Sequence, residues 1–292
     1  MSQYQRYSQS SGPGFMATIS GKSVFGEIIL STVIILIAVL FFFVSEAIYT
    51  GVQSFSTRFQ ILMDYTASAQ DKSLVIHQDA SKYPDAKPLL LSENEPTGTE
   101  FAYSFFLFIN PSTFDNNTNN LYHVWHKGYG CTWPLMGPGV FVKGDSNTLR
   151  VVMNTYANPY TFVDVTNIPI KKWFHVVLNC KKSGLEVHIN GNLVNKLRFD
   201  TSLPYLNYQD IVLFSNAHYT QPTTTPILNT KTFIVNGAFN GFMSQFIYTR
   251  YALSFTEIQS LLHGGPSKKL KTESIELSPY LANTWWTTQY SK

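Results

Sequence analysis

Charged residues are scarce in this chain. Asp, Glu, Lys and Arg supply 13% of its 292 residues, about half the usual quarter of a soluble domain. The net charge is only +3, which excludes the basic footprint of a nucleic-acid-binding protein. The lysines are scattered, apart from short pairs and the Lys268, Lys269, Lys271 group, and read as solvated. Cysteine is nearly missing too. Cys131 and Cys180 are too few for a disulfide framework. Two free, buried thiols are expected, with one structural disulfide as the other arrangement. Neither CxxC nor a His/Cys cluster at zinc spacing occurs.

The catalytic constellations are missing as well. There is no P-loop, no GxGxxG and no GxSxG. A glycoside hydrolase needs two carboxylates about 5–10 Å apart. Glu93 and Glu95 sit among loop-forming residues, and Glu186 stands alone on its strand. Cys180 and His175 lie five apart on one strand, so they point to opposite faces. Calcium takes about six to eight oxygens; Asp145, Asn147 and Asp164 offer only a few, and no metal is assigned. The chain reads as a non-enzyme with no cofactor and no small-molecule substrate.

What is abundant is apolar and aromatic. Hydrophobic residues make up 44% and aromatics 15%, with 22 Phe and 17 Tyr. Such a surface suits burial against lipid or other proteins. Ile28 to Val44, IILSTVIILIAVLFFFV, carries no charge and is bracketed by Glu27 and Glu46. As a helix it is about 25 Å long against about 30 Å of hydrocarbon, and its apolar flanks supply the rest. A core helix would show a polar stripe; only Ser31 and Thr32 are polar. The run therefore predicts a transmembrane helix, with Ile28, Leu30, Val33, Ile35, Ile37, Leu40, Phe42 and Val44 in the bilayer. Its length and flanks suit a retained signal anchor better than a cleaved signal peptide. Arg6 and Lys22 before it balance Arg58 and Lys72 after it, so the positive-inside rule selects neither orientation.

The remaining chain divides by pattern. Residues 1–22 form a Ser/Gln/Tyr/Gly-rich tail, 23–50 the membrane helix, and 51–72 a juxtamembrane stalk with helical spacing at Phe55, Phe59, Leu62 and Met63. From 73 to 266, short apolar runs alternate with Gly, Asn and Pro, which predicts an antiparallel β-sandwich. In the stretch KKWFHVVLNCKKSGLEVHINGNLV, Phe174, Val176 and Leu178 share one face, and Leu185, Val187 and Ile189 face the core. His188 is expected to be exposed. Asn190-Gly191 is the strongest hairpin signal, because a type I′ turn needs positive φ at both central residues. Ser254 and Glu257 spell a capping box opening a short helix that ends at Gly264-Gly265-Pro266. Asn116-Asn117-Thr118 is a glycosylation sequon in an Asn-rich loop. Trp125, Tyr129 and Trp133, in a Gly-rich segment, are candidate glycan contacts. Residues 267–292 form a docking tail whose Tyr280, Trp285, Trp286 and Tyr290 are candidate partner contacts, or interfacial anchors.

The segments SENEPTGTEFAYSFFLFI (92–109), IPIKKWFHVVLN (168–179), LEVHINGNLV (185–194) and FNGFMSQFIYTRYALSFTEIQSLLHGGP (239–266) resemble the concanavalin A-like, laminin-G-type jelly-roll domain. The resemblance covers about residues 73–266. Together with one N-terminal membrane helix it is similar to virion proteins of large double-stranded DNA viruses, such as those infecting algae. It implies a structural minor capsid protein of a giant virus. That protein would sit in the virion between an inner membrane and the capsid, with the lipid bilayer and the major and other minor capsid proteins as partners. Family members that hydrolyse glucan carry an E-x-D-x-E strand, which this sequence lacks. A membrane-anchored glycan-binding lectin or adhesin is the alternative.

Overall fold

A computed structural model describes residues 24–92, 99–199, 202–221 and 233–271. The N-terminal tail (1–22), Glu93, Glu95 and the tail aromatics Tyr280, Trp285, Trp286 and Tyr290 lie outside the described residues. The chain forms two compact units, divided between Thr57 and Arg58.

The first unit is helical. Helix α1 runs Val24–Arg58. Within it, Gly26–Tyr49 is 24 residues long and apolar enough to cross a membrane. That is about 36 Å of helix, more than the roughly 30 Å hydrocarbon layer. Ile28, Leu30, Val33, Ile35, Ile37, Leu40, Phe42 and Val44 are all exposed, and they point in every direction around the helix. Three of its hydroxyls are satisfied within the helix. Ser31 and Thr32 donate to the Ile28 carbonyl at 2.9 and 2.8 Å, and Ser45 donates to that of Phe42 at 2.8 Å. Such back-bonding keeps these three hydroxyl hydrogens from facing an apolar medium unpaired.

The second unit is an antiparallel β-sandwich. Its strands are β1 Phe59–Ser68, β2 Leu74–Ile76, β3 Phe101–Ile109, β4 Asn120–Lys127, β5 Gly139–Lys143, β6 Leu149–Met153 and β7 Thr161–Val165. They continue with β8 Trp173–Lys181, β9 Gly184–Ile189, β10 Asn192–Arg198, β11 Ile211–Leu213, β12 His218–Gln221, β13 Phe233–Ala238 and β14 Gly241–Thr249; helix α2, Phe255–Gly264, follows. One sheet has the order β1-β14-β3-β8-β9-β10. The other has β12-β13-β4-β5-β6-β7, with β11 joining β4 to β2. Only β13 and β4 pair in parallel among these strands. Strand β3 is central, and its Phe105, Leu107 and Ile109 enter the core between the sheets. Phe174, Val176 and Leu178 of β8 and Leu185 and Val187 of β9 meet them there.

Two local signals appear in full. Asn190 (φ 49°) and Gly191 (φ 81°) are both left-handed, as a two-residue hairpin turn between β9 and β10 requires. A Cβ on Gly191 would come within 2.3 Å of the Gln259 side chain on α2. The Ser254 and Glu257 side chains form the complete capping box of α2, and Gly265 closes it with φ 67°.

The structure corrects three expectations. The stalk 51–72 is not a continuous helix: α1 stops at Arg58 and β1 begins at Phe59. Register shifts between Ile61 and Met63 and between Met63 and Thr66 break the two-residue period of β1. A doubly bulged strand therefore shows near-helical apolar spacing. His188 is 9% exposed, not solvated. Trp125 is fully buried. The register between β4 and β5 shifts between His123 and Trp125, and Trp125 lies in the core with its neighbour Val124.

The outer edge of β1 is closed by later parts of the chain. Lys87 Nζ donates to the Leu62 carbonyl at 2.9 Å. The Gln60 amide donates to the Pro88 carbonyl and accepts from the Leu90 N–H. Thr66 pairs through its backbone with Lys269 and Lys271.

Trp125→Ala is expected to cost about 3–5 kcal/mol by the loss of a large core side chain. Chemical denaturation of the full chain in detergent measures it; a loss under about 1 kcal/mol would contradict the burial described.

Candidate functional site

The Gly-rich loop after β4 is held from inside by two histidines. The Ser215 N–H donates to His123 Nδ1 at 2.9 Å. This makes Nδ1 an acceptor, so the ring proton sits on Nε2. His123 Nε2 then donates to His126 Nδ1 at 2.7 Å, and His126 Nε2 to the Tyr129 carbonyl at 2.7 Å. Both rings are buried and neutral. Burial drives His123 well below the usual imidazole range, with His126 adding to the effect. Burial pulls His126 down to about 4, against its hydrogen bonds to Tyr129 and Cys131.

The three candidate glycan aromatics therefore part company. Tyr129 is exposed. Trp133 is half-buried against Phe233 and Tyr160, with ring centres 5.5 and 6.0 Å away. Trp125 belongs to the core. The same loop exposes Cys131, whereas Cys180 is buried; both thiols are free. Two buried thiols were not the right expectation for a loop this Gly-rich. The sequon residue Asn116 is exposed, with φ 59°.

The outward face of the β3/β8 sheet is only partly covered. Ile258 of helix α2, with Leu253 just before the helix, packs onto Ala102 and Val177. Beside it, Ser104 Oγ lies 2.8 Å from His175 Nε2. The pair has the spacing of a nucleophile and base. No carboxylate orients it, since His175 Nδ1 has no partner, and burial and the nearby His188 pull His175 down to about 4. It fills a sheet face rather than activating a hydroxyl. Burial opposes ionisation of Glu186, but Lys181 at 2.7 Å and Lys196 at 3.4 Å hold its carboxyl below the usual range. The calcium candidates do not converge. Asp164 makes a two-point ion pair with Arg150, at 2.7 and 2.6 Å. Asp145 bonds Ser146 and Lys143. No cluster of three or more His, Cys, Asp or Glu fit to hold a metal occurs among the described residues.

A groove opens elsewhere on the sandwich. The strap Pro88–Ser92 forms one wall, and Phe101, Leu206 and Tyr248 form others. The strap is tied down: Tyr248 donates its hydroxyl to the Leu90 carbonyl at 2.9 Å, and the Leu89 N–H donates to the Gln78 side chain at 2.9 Å. Lys127, the last residue of β4, lines the groove and is only 7% exposed. Its Nζ donates to the Gln209 carbonyl at 2.7 Å. Asp210 gives its oxygens to His77 and the Gln78 N–H, at 2.9 and 2.8 Å. Burial lowers Lys127 to about 8, with Asp210 pulling weakly the other way. Sequence reading missed this lysine. Its signal is a single cation closing an otherwise neutral strand, NLYHVWHK.

No protein-family model matches the chain, and no curated protein matches it. Solved structures with a similar sandwich include the receptor binding domain of botulinum neurotoxin D, at 11% identity and a TM-score of 0.46, over 70% of this chain and 47% of that one. The serotype G binding domain matches at 14% identity and 0.46, over 69% and 41%. The serotype D ligand binding domain, solved in complex with N-acetylneuraminic acid, matches at 11% and 0.46, over 70% and 45%. This chain spans less than half of each of these chains, and the likeness is one of fold.

The neutral histidines make the fold acid-sensitive. His126 and His175 fall from 6.5 in the unfolded chain to about 4 when folded. The unfolded state then binds more protons between those values, so their contribution is complete above 6.5 and is lost as pH falls toward 4. The melting midpoint of the full chain in detergent is expected to drop by roughly 5–10 °C across that window. The drop should be smaller in His175→Asn; a flat profile would refute the neutral assignment.

Proposed function

We propose that this chain is a structural, single-pass membrane-anchored protein whose β-sandwich links a bilayer to a protein lattice. The observation that carries the reading is α1, whose 24-residue stretch Gly26–Tyr49 is apolar enough to cross a membrane and is not buried, in a chain whose second unit is a β-sandwich. Confinement by a membrane turns weak head contacts into strong attachment, because many copies meet a repeating lattice at high effective concentration. The laminin-G-like segments and their pairing with one N-terminal anchor support a minor capsid protein, placed between an inner viral membrane and the major capsid layer of a large double-stranded DNA virus. Its partners would then be lipid and the neighbouring capsid proteins.

The membrane-anchored lectin keeps one specific observation in its favour, the exposed Tyr129 beside the half-buried Trp133. Binding to a glycan array that is lost in Tyr129→Ala would favour it over the scaffold.

Fractionation of purified particles tests the scaffold. The protein is expected to co-purify with virions and to stay with the lipid through a carbonate wash. Its absence from particles, or its release while lipid is retained, would end the proposal.

A further inference from the structure

The groove beneath the strap sets apolar side chains beside a buried ammonium, Lys127, whose charged neighbour Asp210 makes its own bonds elsewhere. Lys127 carries three N–H donors, and one acceptor, the Gln209 carbonyl, is within reach among the described residues. The nearest acidic residue is committed elsewhere: Asp210 bonds His77 and the Gln78 backbone. A buried ammonium held out of salt-bridge contact costs free energy. That cost falls if an anion enters beside it. The surrounding walls, Leu89, Leu91, Phe101 and Leu206, are apolar.

We propose that this groove binds a small monocarboxylate with an apolar body. Its carboxylate pairs with the Lys127 ammonium, and its hydrocarbon lies against Leu89, Phe101 and Leu206. One buried cation balances one negative charge, so a dianionic phosphate would leave a charge unpaired in an apolar slot. A cationic amphiphile would meet Lys127 as a like charge. Burial of Lys127 fits this picture, since desolvation strengthens an ion pair once it forms. The site is independent of the scaffold reading; it asks for a ligand, not a reaction.

The probes are hexanoate, its neutral counterpart hexanamide, and inorganic phosphate. Binding is read by ligand-observed NMR on the full chain in nanodiscs, with empty nanodiscs subtracted. Hexanoate is expected to saturate, with hexanamide and phosphate each about tenfold weaker or worse. Lys127→Met should bring hexanoate down to the level of hexanamide. Leu91→Trp, at the exposed rim of the groove, should abolish binding of both organic probes and provides a second test should Lys127→Met fail to fold. Equal binding of hexanoate and hexanamide would overturn the proposal. So would tighter binding of phosphate, no saturable hexanoate signal, or hexanoate binding unchanged in Leu91→Trp or in folded Lys127→Met.

Discussion

Trp125 lies 4.9 Å from Tyr103 and 4.8 Å from Phe246, ring centre to ring centre. These three residues come from β4, β3 and β14, so one aromatic cluster rivets the two sheets together. Phe105 meets Trp125 and Phe246 edge-on, at 5.7 and 5.9 Å. Tilted and edge-to-face pairs of this kind add to the burial energy of the rings themselves. The cluster also fixes what lies on either side of it. Strand β4 carries the histidine relay one residue to either side of Val124 and Trp125, and it ends at Lys127 in the groove. Tyr103, with Tyr248 packed on it 5.1 Å away, also reaches the wall of that same groove.

How far the sequence could be read depended on how local each cause was. The Asn190-Gly191 turn and the Ser254–Glu257 box need only a few adjacent residues, so their chemistry is legible in the letters. The alternation of Phe174, Val176 and Leu178 is legible because β8 keeps an unbroken register with β3. Strand β1 reads as helix because its two bulges are dictated by β14, far along the chain. Trp125 reads as a loop aromatic because the register shift that places it in the core depends on pairing with β5. The groove was not legible at all. It exists only where the strap, β3, β14 and the 206–208 segment converge, and no stretch of sequence carries that meeting.

Low charge and high aromatic content have two separate outlets in this molecule. One is α1, whose Ile and Phe side chains face outward with no polar stripe. The other is the sandwich interior and its partly covered outer face, where Phe108 neighbours Trp173 and Phe242 across three strands. Some of the few charges are spent on local ties, such as Arg150 with Asp164 and Lys181 with Glu186. With a net charge of only +3, the chain does little to repel neighbours.

That gives the closed edge of β1 a wider meaning. On the proposed membrane-anchored reading, the heads would share a two-dimensional plane, where crowding brings like surfaces together far more often than in free solution. An open edge strand there would template sheet-to-sheet zippering between copies. Lys87 on the Leu62 carbonyl, the Gln60 amide on the strap, and Lys269 and Lys271 on the Thr66 backbone occupy that template in advance. On that reading each head would stay a discrete body, able to sit at high density without fusing to the next.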